Sequence, residues 1–106
     1  MKVLRTGHRY ELANHEQNLA ELNQVLQFIH KEPINNAAPV ALRTVSDGTT
    51  NEEVLLMLID RLQYLQAIAA CRENAIVITK LEESLMWLNK RTADRQARGV
   101  EGTAAK

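Results

Sequence analysis

Two stretches of this chain place leucine and isoleucine at intervals of three and four residues, and only a few positions separate them. In the first, Leu55, Leu58, Leu62 and Leu65 form one apolar stripe, widened by Leu56 and Ile59. In the second, Ile78, Leu81, Leu85 and Leu88 keep the same rhythm. An α-helix returns to one face about every 3.6 residues, so each stretch predicts an amphipathic helix. The join, "AIAAC", is short, and the two helices are predicted to pack as an antiparallel hairpin.

The ends of both helices are marked. Thr50 followed by Glu53 has the spacing of a capping box, and Asn51, Glu52 and Glu53 fill the first turn. The two acids suit the positive end of the helix dipole. The stripe predicts an end near Gln66. The second helix is predicted from Arg72 to about Arg98, where Gly99 stands in the position of a C-terminal cap. Helices of about sixteen and about twenty-seven residues span roughly 24 Å and roughly 40 Å, so the second should overhang the first by roughly three turns. Trp87 and Leu88 lie at the root of that overhang and need cover, from the N-terminal region or from another chain.

The rest of the chain is less periodic. "RYELANHE" alternates weakly, as a strand does. "LAELNQVLQFIHKE" fits a helix through Leu19, Leu22, Leu26 and Ile29, but Val25, Phe28 and Ile29 favour a strand, and residues 19–30 stay open between the two. Residues 33–50 hold both prolines and an Asp-Gly turn signal and read as a loop. The closing "VEGTAAK" reads as a mobile tail.

Composition limits the chemistry. Thirteen acids balance thirteen bases, so the surface as a whole is no trap for polymeric nucleic acid, and any anion site must be local. The single cysteine, Cys71, excludes an intrachain disulfide or a thiolate zinc cluster and reads as a small, partly buried residue at a bend. The opening "MKVLRTGHRY" lacks the apolar segment of a secretion signal, and no run reaches membrane-spanning length; a cytoplasmic protein with no membrane partner is expected. There is no glycine-rich phosphate loop, no G-x-S-x-G and no H-E-x-x-H. His8, His15 and His30 share no metal-ligand spacing, and Glu82 and Glu83 fit a solvated face better than an acid-base pair. Neither catalysis nor a cofactor or metal is expected.

One local feature departs from this plainness. Arg91, Arg95 and Arg98 fall within an arc of about 60° on the second helix, beside the leucine seam and bordered by Trp87. Three guanidiniums on one face repel one another unless an anion or acid lies among them. Cations also favour a helix C-terminus, and Asp94, four residues before Arg98, relieves part of the repulsion. Two polar residues stand near the bend. Tyr64 has the chemistry to stack on a base and Asn74 to hydrogen-bond one, although from the residues alone a snorkelling core tyrosine and a helix-capping asparagine are the better explanations.

The segments "GTTNEEVLLMLIDRL" and "CRENAIVITKLEESLMWLNKRTADRQARGVEGT" resemble the helical hairpin of small phage and prophage proteins, the anti-Thoeris and anti-CBASS cyclic-nucleotide sponges. "RTADRQARGVEGT" with "CREN" is the most specific part, and "YELAN" and "LQFI" resemble the family's N-terminal strands. With that resemblance the expected fold is α+β, mainly α: an antiparallel two-helix hairpin with a short N-terminal β-hairpin, oligomeric. It is expected as a single domain over residues 1–106, with strands in 1–32, a loop over 33–50, the hairpin over 51–98 and the tail over 99–106.

The resemblance also implies a function. Such proteins act inside the infected or lysogenic bacterial host, sequester cyclic nucleotide or cyclic ADP-ribose-type messengers without cleaving them, and assemble as dimers or hexamers. By position, Tyr64 would stack on the base, Asn74 would contact the ligand, and Arg91 and Arg95 would grip phosphate, with Arg98 and Thr103 as weaker counterparts. The sequence differs from its relatives at "AIAAC" and in its "TAAK" end, which leaves the ligand's identity open. Asn74 and Arg91 are seventeen residues apart on one helix, roughly 25 Å, so a small nucleotide touching both must lie between chains. The alternative is a helical-hairpin oligomer that binds a host or phage protein through the flank around Trp87.

Overall fold

A computed structural model describes residues 1–17, 22–34 and 41–106 of the chain; Leu19, expected in a helix or strand, and residues 35–40 of the expected loop lie outside that set. Helix α1 (Asn51–Ile68) starts where the capping box places it, with the Glu53 amide donating to Thr50 Oγ1 at 3.2 Å and Glu52 and Glu53 in the first turn. Helix α2 (Arg72–Ala97) packs against it as the second arm of a hairpin. The two are 18 and 26 residues long. Eight extra residues are roughly 12 Å, an overhang of about two turns and not three, because α1 runs on past Gln66.

The seam between the arms is narrower than the leucine stripe suggests. On α1, Ile59 is the buried residue at 8% exposure, while Leu58, expected in the stripe, is 39% exposed. On α2 the less exposed positions are Asn74, Ile78, Leu81, Leu85, Leu88 and Thr92, and the row ends in buried Arg95. That row keeps the three-four rhythm throughout. Its polar members at both ends continue the geometric face of the leucines between them.

Among the described residues, five strands precede the helices. Strands β1 (Lys2–Arg5), β2 (Arg9–Leu12) and β3 (Gln24–Gln27) form an antiparallel sheet in the order β1-β2-β3. Residues 24–27 therefore take the extended alternative, and Tyr10 and Phe28 meet edge to face at 5.9 Å. Strands β4 (His30–Pro33) and β5 (Leu42–Ser46) form a second antiparallel pair. Strand β5 lies inside the segment expected to be a loop. Its residues include β-branched Thr44 and Val45, and β4 supplies the edge that makes their extended conformation worthwhile.

The chain enters α1 through a close backbone crossing. The Thr49 amide donates to Gln27 O at 2.9 Å, and the Ile29 amide donates to Thr49 O at 3.0 Å. This ties the residue before the Thr50 cap to the end of β3. Gly48 makes the crossing possible, because a Cβ there would stand 2.5 Å from Gln27 O and 2.6 Å from the Phe28 carbonyl carbon. Both are backbone atoms and cannot rotate away. Gly48→Ala is expected to destabilise the fold by about 1–3 kcal/mol, read as a lower urea midpoint; an unchanged midpoint would show that the crossing opens freely.

His8, in the β1–β2 turn, and His30, at the start of β4, stack with ring centroids 4.0 Å apart and so connect the two sheets. The His30 side chain is 13% exposed, and its Nδ1 has no hydrogen-bond partner among the described residues. Burial, then His8 and Arg5, hold its pKa below the usual imidazole value, against the opposing pull of Glu32 at 3.6 Å. A histidine whose folded pKa is depressed binds its proton more readily when unfolded. Stability should therefore fall as pH drops through the unfolded imidazole range towards the folded pKa. Urea midpoints measured across that range should slope downward with acid, and His30→Gln should flatten the slope.

The molecule is thin. Its principal extents are 52 × 34 × 15 Å, and its radius of gyration is 17.5 Å against about 13 Å for a compact chain of this length. Its accessible surface is 8113 Å², where a compact monomer of 12.0 kDa exposes about 6,000 Å². Among the described residues no side chain is fully buried, and no helix is long and apolar enough to cross a membrane.

Candidate functional site

The second helix ends in a Schellman motif. Gly99 has φ +70, its amide donates to Gln96 O at 3.1 Å, and the Val100 amide donates to Arg95 O at 3.0 Å. The reversal sends the following residues back across the helix end. The segment read as a mobile tail is folded: the Leu42 amide donates to Gly102 O at 3.1 Å, and Thr103 bridges to Ala41 beside β5.

Arg95 organises this return. Its side chain is 5% exposed. Nε donates to Glu101 Oε2 at 3.0 Å, Nη2 donates to Val100 O at 3.0 Å and to Thr103 O at 2.8 Å, and Nη1 donates to Ala105 O. Four of the five guanidinium donors are thereby engaged within the chain. The Thr103 hydroxyl is also occupied, donating to Val100 O at 2.6 Å and accepting from the Ala105 amide at 3.2 Å.

The other two arginines of the arc behave differently. Arg91 and Arg98 are exposed and share a cleft of about 240 Å³ with Trp87, Lys90 and Asp94. Asp94 was expected to pair with Arg98. It pairs instead with Lys90 one turn earlier, Nζ to Oδ2 at 2.9 Å, and Arg98 stands at the C-cap of the helix. Among the described residues neither Arg91 nor Arg98 has a carboxylate partner. The rim is thus an indole flanked by two guanidiniums able to donate in pairs to an anion.

Tyr64 and Asn74 lie at the opposite end of the hairpin. Tyr64 is 61% exposed and Asn74 is partly buried on the α2 seam. Asn74 is not the cap of α2; Cys71 is, its Sγ accepting from the Asn74 amide at 3.4 Å. Cys71 is exposed at the bend and not partly buried. Gln66 closes the bend with a two-way clamp: its Oε1 accepts from the Cys71 amide at 2.8 Å, and its Nε2 donates to Cys71 O at 3.1 Å. Sequence reasoning passed over Gln66 because a polar residue near a helix end carries no motif. Its five-residue reach to the next cap was the available signal.

The candidate residues therefore form two groups on one chain, Tyr64 and Asn74 at the bend and Arg91 and Arg98 at the overhang. Seventeen residues of unbroken helix, roughly 25 Å, separate Asn74 from Arg91. Residues 32–93 match the model of the Acb2/Tad1 hairpin domain, more than half of the chain. The chain belongs to that family. Thoeris anti-defense 1 of Bacillus phage SBSphiJ7 is 61% identical over 62 residues, which are 58% of this chain and 44% of that protein. The chain thus spans less than half the length of this curated relative. The matched region takes in both helices up to Ala93 and stops short of Arg95, Arg98 and the returning tail.

Replacing Gln66 with Leu removes both bonds to Cys71 and should cost about 1 kcal/mol, read from urea unfolding. The hairpin's helical circular dichroism should persist in that variant, since the leucines and isoleucines of the seam are unchanged.

Proposed function

We propose that this protein is a phage-encoded inhibitor of bacterial immune signalling. It binds and sequesters cyclic nucleotide or cyclic ADP-ribose-type messengers without cleaving them, at a site made between chains. The observation that carries this reading is the cleft at the α2 overhang, where exposed Arg91 and Arg98 flank Trp87 without a carboxylate partner among the described residues. The identity to Thoeris anti-defense 1, a protein named for countering a defence system, supports the biological role.

In this reading Tyr64 stacks on a base, Asn74 hydrogen-bonds to it, and Arg91 and Arg98 of another chain hold phosphate. Arg95 and Thr103 contribute through the tail they fold. Assembly is supported by surface area. The excess over a compact monomer is about 2,000 Å² per chain, above the roughly 800 Å² per partner of a standard interface. Met57, Tyr64, Ile68, Met86 and Trp87 are each more than half exposed and supply the apolar part of such contacts. A homo-oligomer, dimer or hexamer, provides the cover.

The exposed Trp87 and Met86 also favour a second reading, a hairpin oligomer that holds a host or phage protein. A thermal-shift panel of cyclic oligonucleotides and cyclic ADP-ribose isomers separates the two, with bound ligand recovered by heat and identified by mass. Intact ligand released from the protein supports the sponge; no shift with any nucleotide removes it in favour of a protein partner. Arg91→Ala is expected to weaken nucleotide binding by more than about tenfold, the loss of one charge-assisted pair. Its sedimentation should match wild type. Normal binding by a dissociated Arg91→Ala variant would make that arginine structural.

A further inference from the structure

We infer that Arg95 is a positioning residue that keeps the cationic rim open to outside anions. It does so by folding the tail and by holding the Glu101 carboxylate away from Arg91 and Arg98. The inference deepens the proposed function and rests on it for the purpose of the rim.

Charge on the overhang shows why such a residue is needed. The segment from Lys90 to Glu101 holds four cations, Lys90, Arg91, Arg95 and Arg98, and two carboxylates, Asp94 and Glu101. Asp94 is held by Lys90 at 2.9 Å and Glu101 by Arg95 at 3.0 Å. Glu101 is taken by a buried cation outside the cleft lining, and Asp94 is paired within that lining by Lys90. The remainder, Arg91 and Arg98, is the open pair. Glu101 stands three residues after Arg98 and just past the Gly99 reversal, so an unrestrained tail would let its carboxylate reach either guanidinium and fill the rim from within.

The buried guanidinium prevents this in a way a simple charge would not. Its bonds run to Glu101, to two carbonyls that straddle it in sequence, Val100 and Thr103, and to the Ala105 carbonyl. Together they fix the tail as a strap, and the strap continues into the Leu42 bond to Gly102. A planar fork with donors in fixed directions can hold these acceptors at once; an ammonium cannot.

Trp87, the only tryptophan, lines the cleft and reports its potential. The test compares quenching of Trp87 fluorescence by iodide with quenching by neutral acrylamide, in wild type, Arg95→Gln, Arg95→Lys and Arg95→Gln with Glu101→Gln. Arg95→Gln should lower the iodide-to-acrylamide ratio by about twofold or more as Glu101 enters the rim. Adding Glu101→Gln should restore the ratio while the tail stays loose. A purely structural Arg95 predicts no such rescue. Arg95→Lys should loosen the strap although it keeps the charge, seen as faster hydrogen exchange at the Leu42 amide.

An unchanged ratio in Arg95→Gln overturns the inference, as does a low ratio that Glu101→Gln fails to restore. Should the variants not fold, wild type decides: the Leu42 and Thr103 amides must be protected and exchange together, and fast exchange at Leu42 overturns the strap. If the quenching pattern holds and no nucleotide binds, the proposed ligand falls and the positioning role stands.

Discussion

A single seam between two helices of unequal length carries this fold. Ile59 faces a row on α2 that runs from Asn74 to Arg95, and few apolar side chains lie elsewhere out of solvent. With Ile59 the one buried apolar residue among those described, the seam buries little area, and at about 25 cal/mol per Å² that area cannot alone offset the entropy of ordering the chain. The remaining elements are attached at the ends of the seam. At the α1 start, the Thr49 crossing over Gly48 brings in the first sheet; at the α2 end, the Arg95 strap brings in β5. Both attachments are made of backbone hydrogen bonds and one guanidinium, which are directional and fix geometry without needing a thick core.

That economy has a consequence for surface. A plate 15 Å thick is close to one layer of packed elements, and a layer has two faces. Apolar residues on the outer faces of α1 and α2, such as Met57, Ile68, Met86 and Trp87, are more than half exposed, with no second layer over them among the described residues. Assembly, as proposed, supplies that layer. It also gives the unequal helix lengths a use, since an overhang with no partner helix of its own can reach a neighbouring chain.

Much of the hairpin was legible in the sequence because helix signals are local. The Thr50–Glu53 box, the Gly99 stop and the three-four rhythm each act within a turn or two, and each lies where the spacing put it. What was not legible depends on contacts between distant residues. Strand β5 needs β4 beside it, and residues 24–27 become a strand because β2 offers an edge. The tail carries a single large apolar residue, Val100, so its composition reads as loose; Arg95 holds it. Leu58 was placed in the stripe by spacing alone, although Ile59 lies deeper, a one-residue rotation that pattern counting cannot resolve when both neighbours are apolar.

The arginine arc shows how far a helical wheel can mislead and how it could have been read better. Arg91, Arg95 and Arg98 share an arc, yet Arg95 also lies seven residues after Leu88 and fourteen after Leu81. That places it on the buried row, at the edge of the arc nearest the seam, whereas Arg91 and Arg98 turn outward. An arginine at a buried position must find a partner for each donor or lose more in desolvation than it gains. Its neighbours in sequence supply Glu101 and a run of free carbonyls just past a helix stop, where orphan acceptors are plentiful. The seam position, the acid six residues on and the glycine between them were all visible in "RQARGVE". Read together, they separate one arginine that folds the tail from two that stay exposed at the overhang.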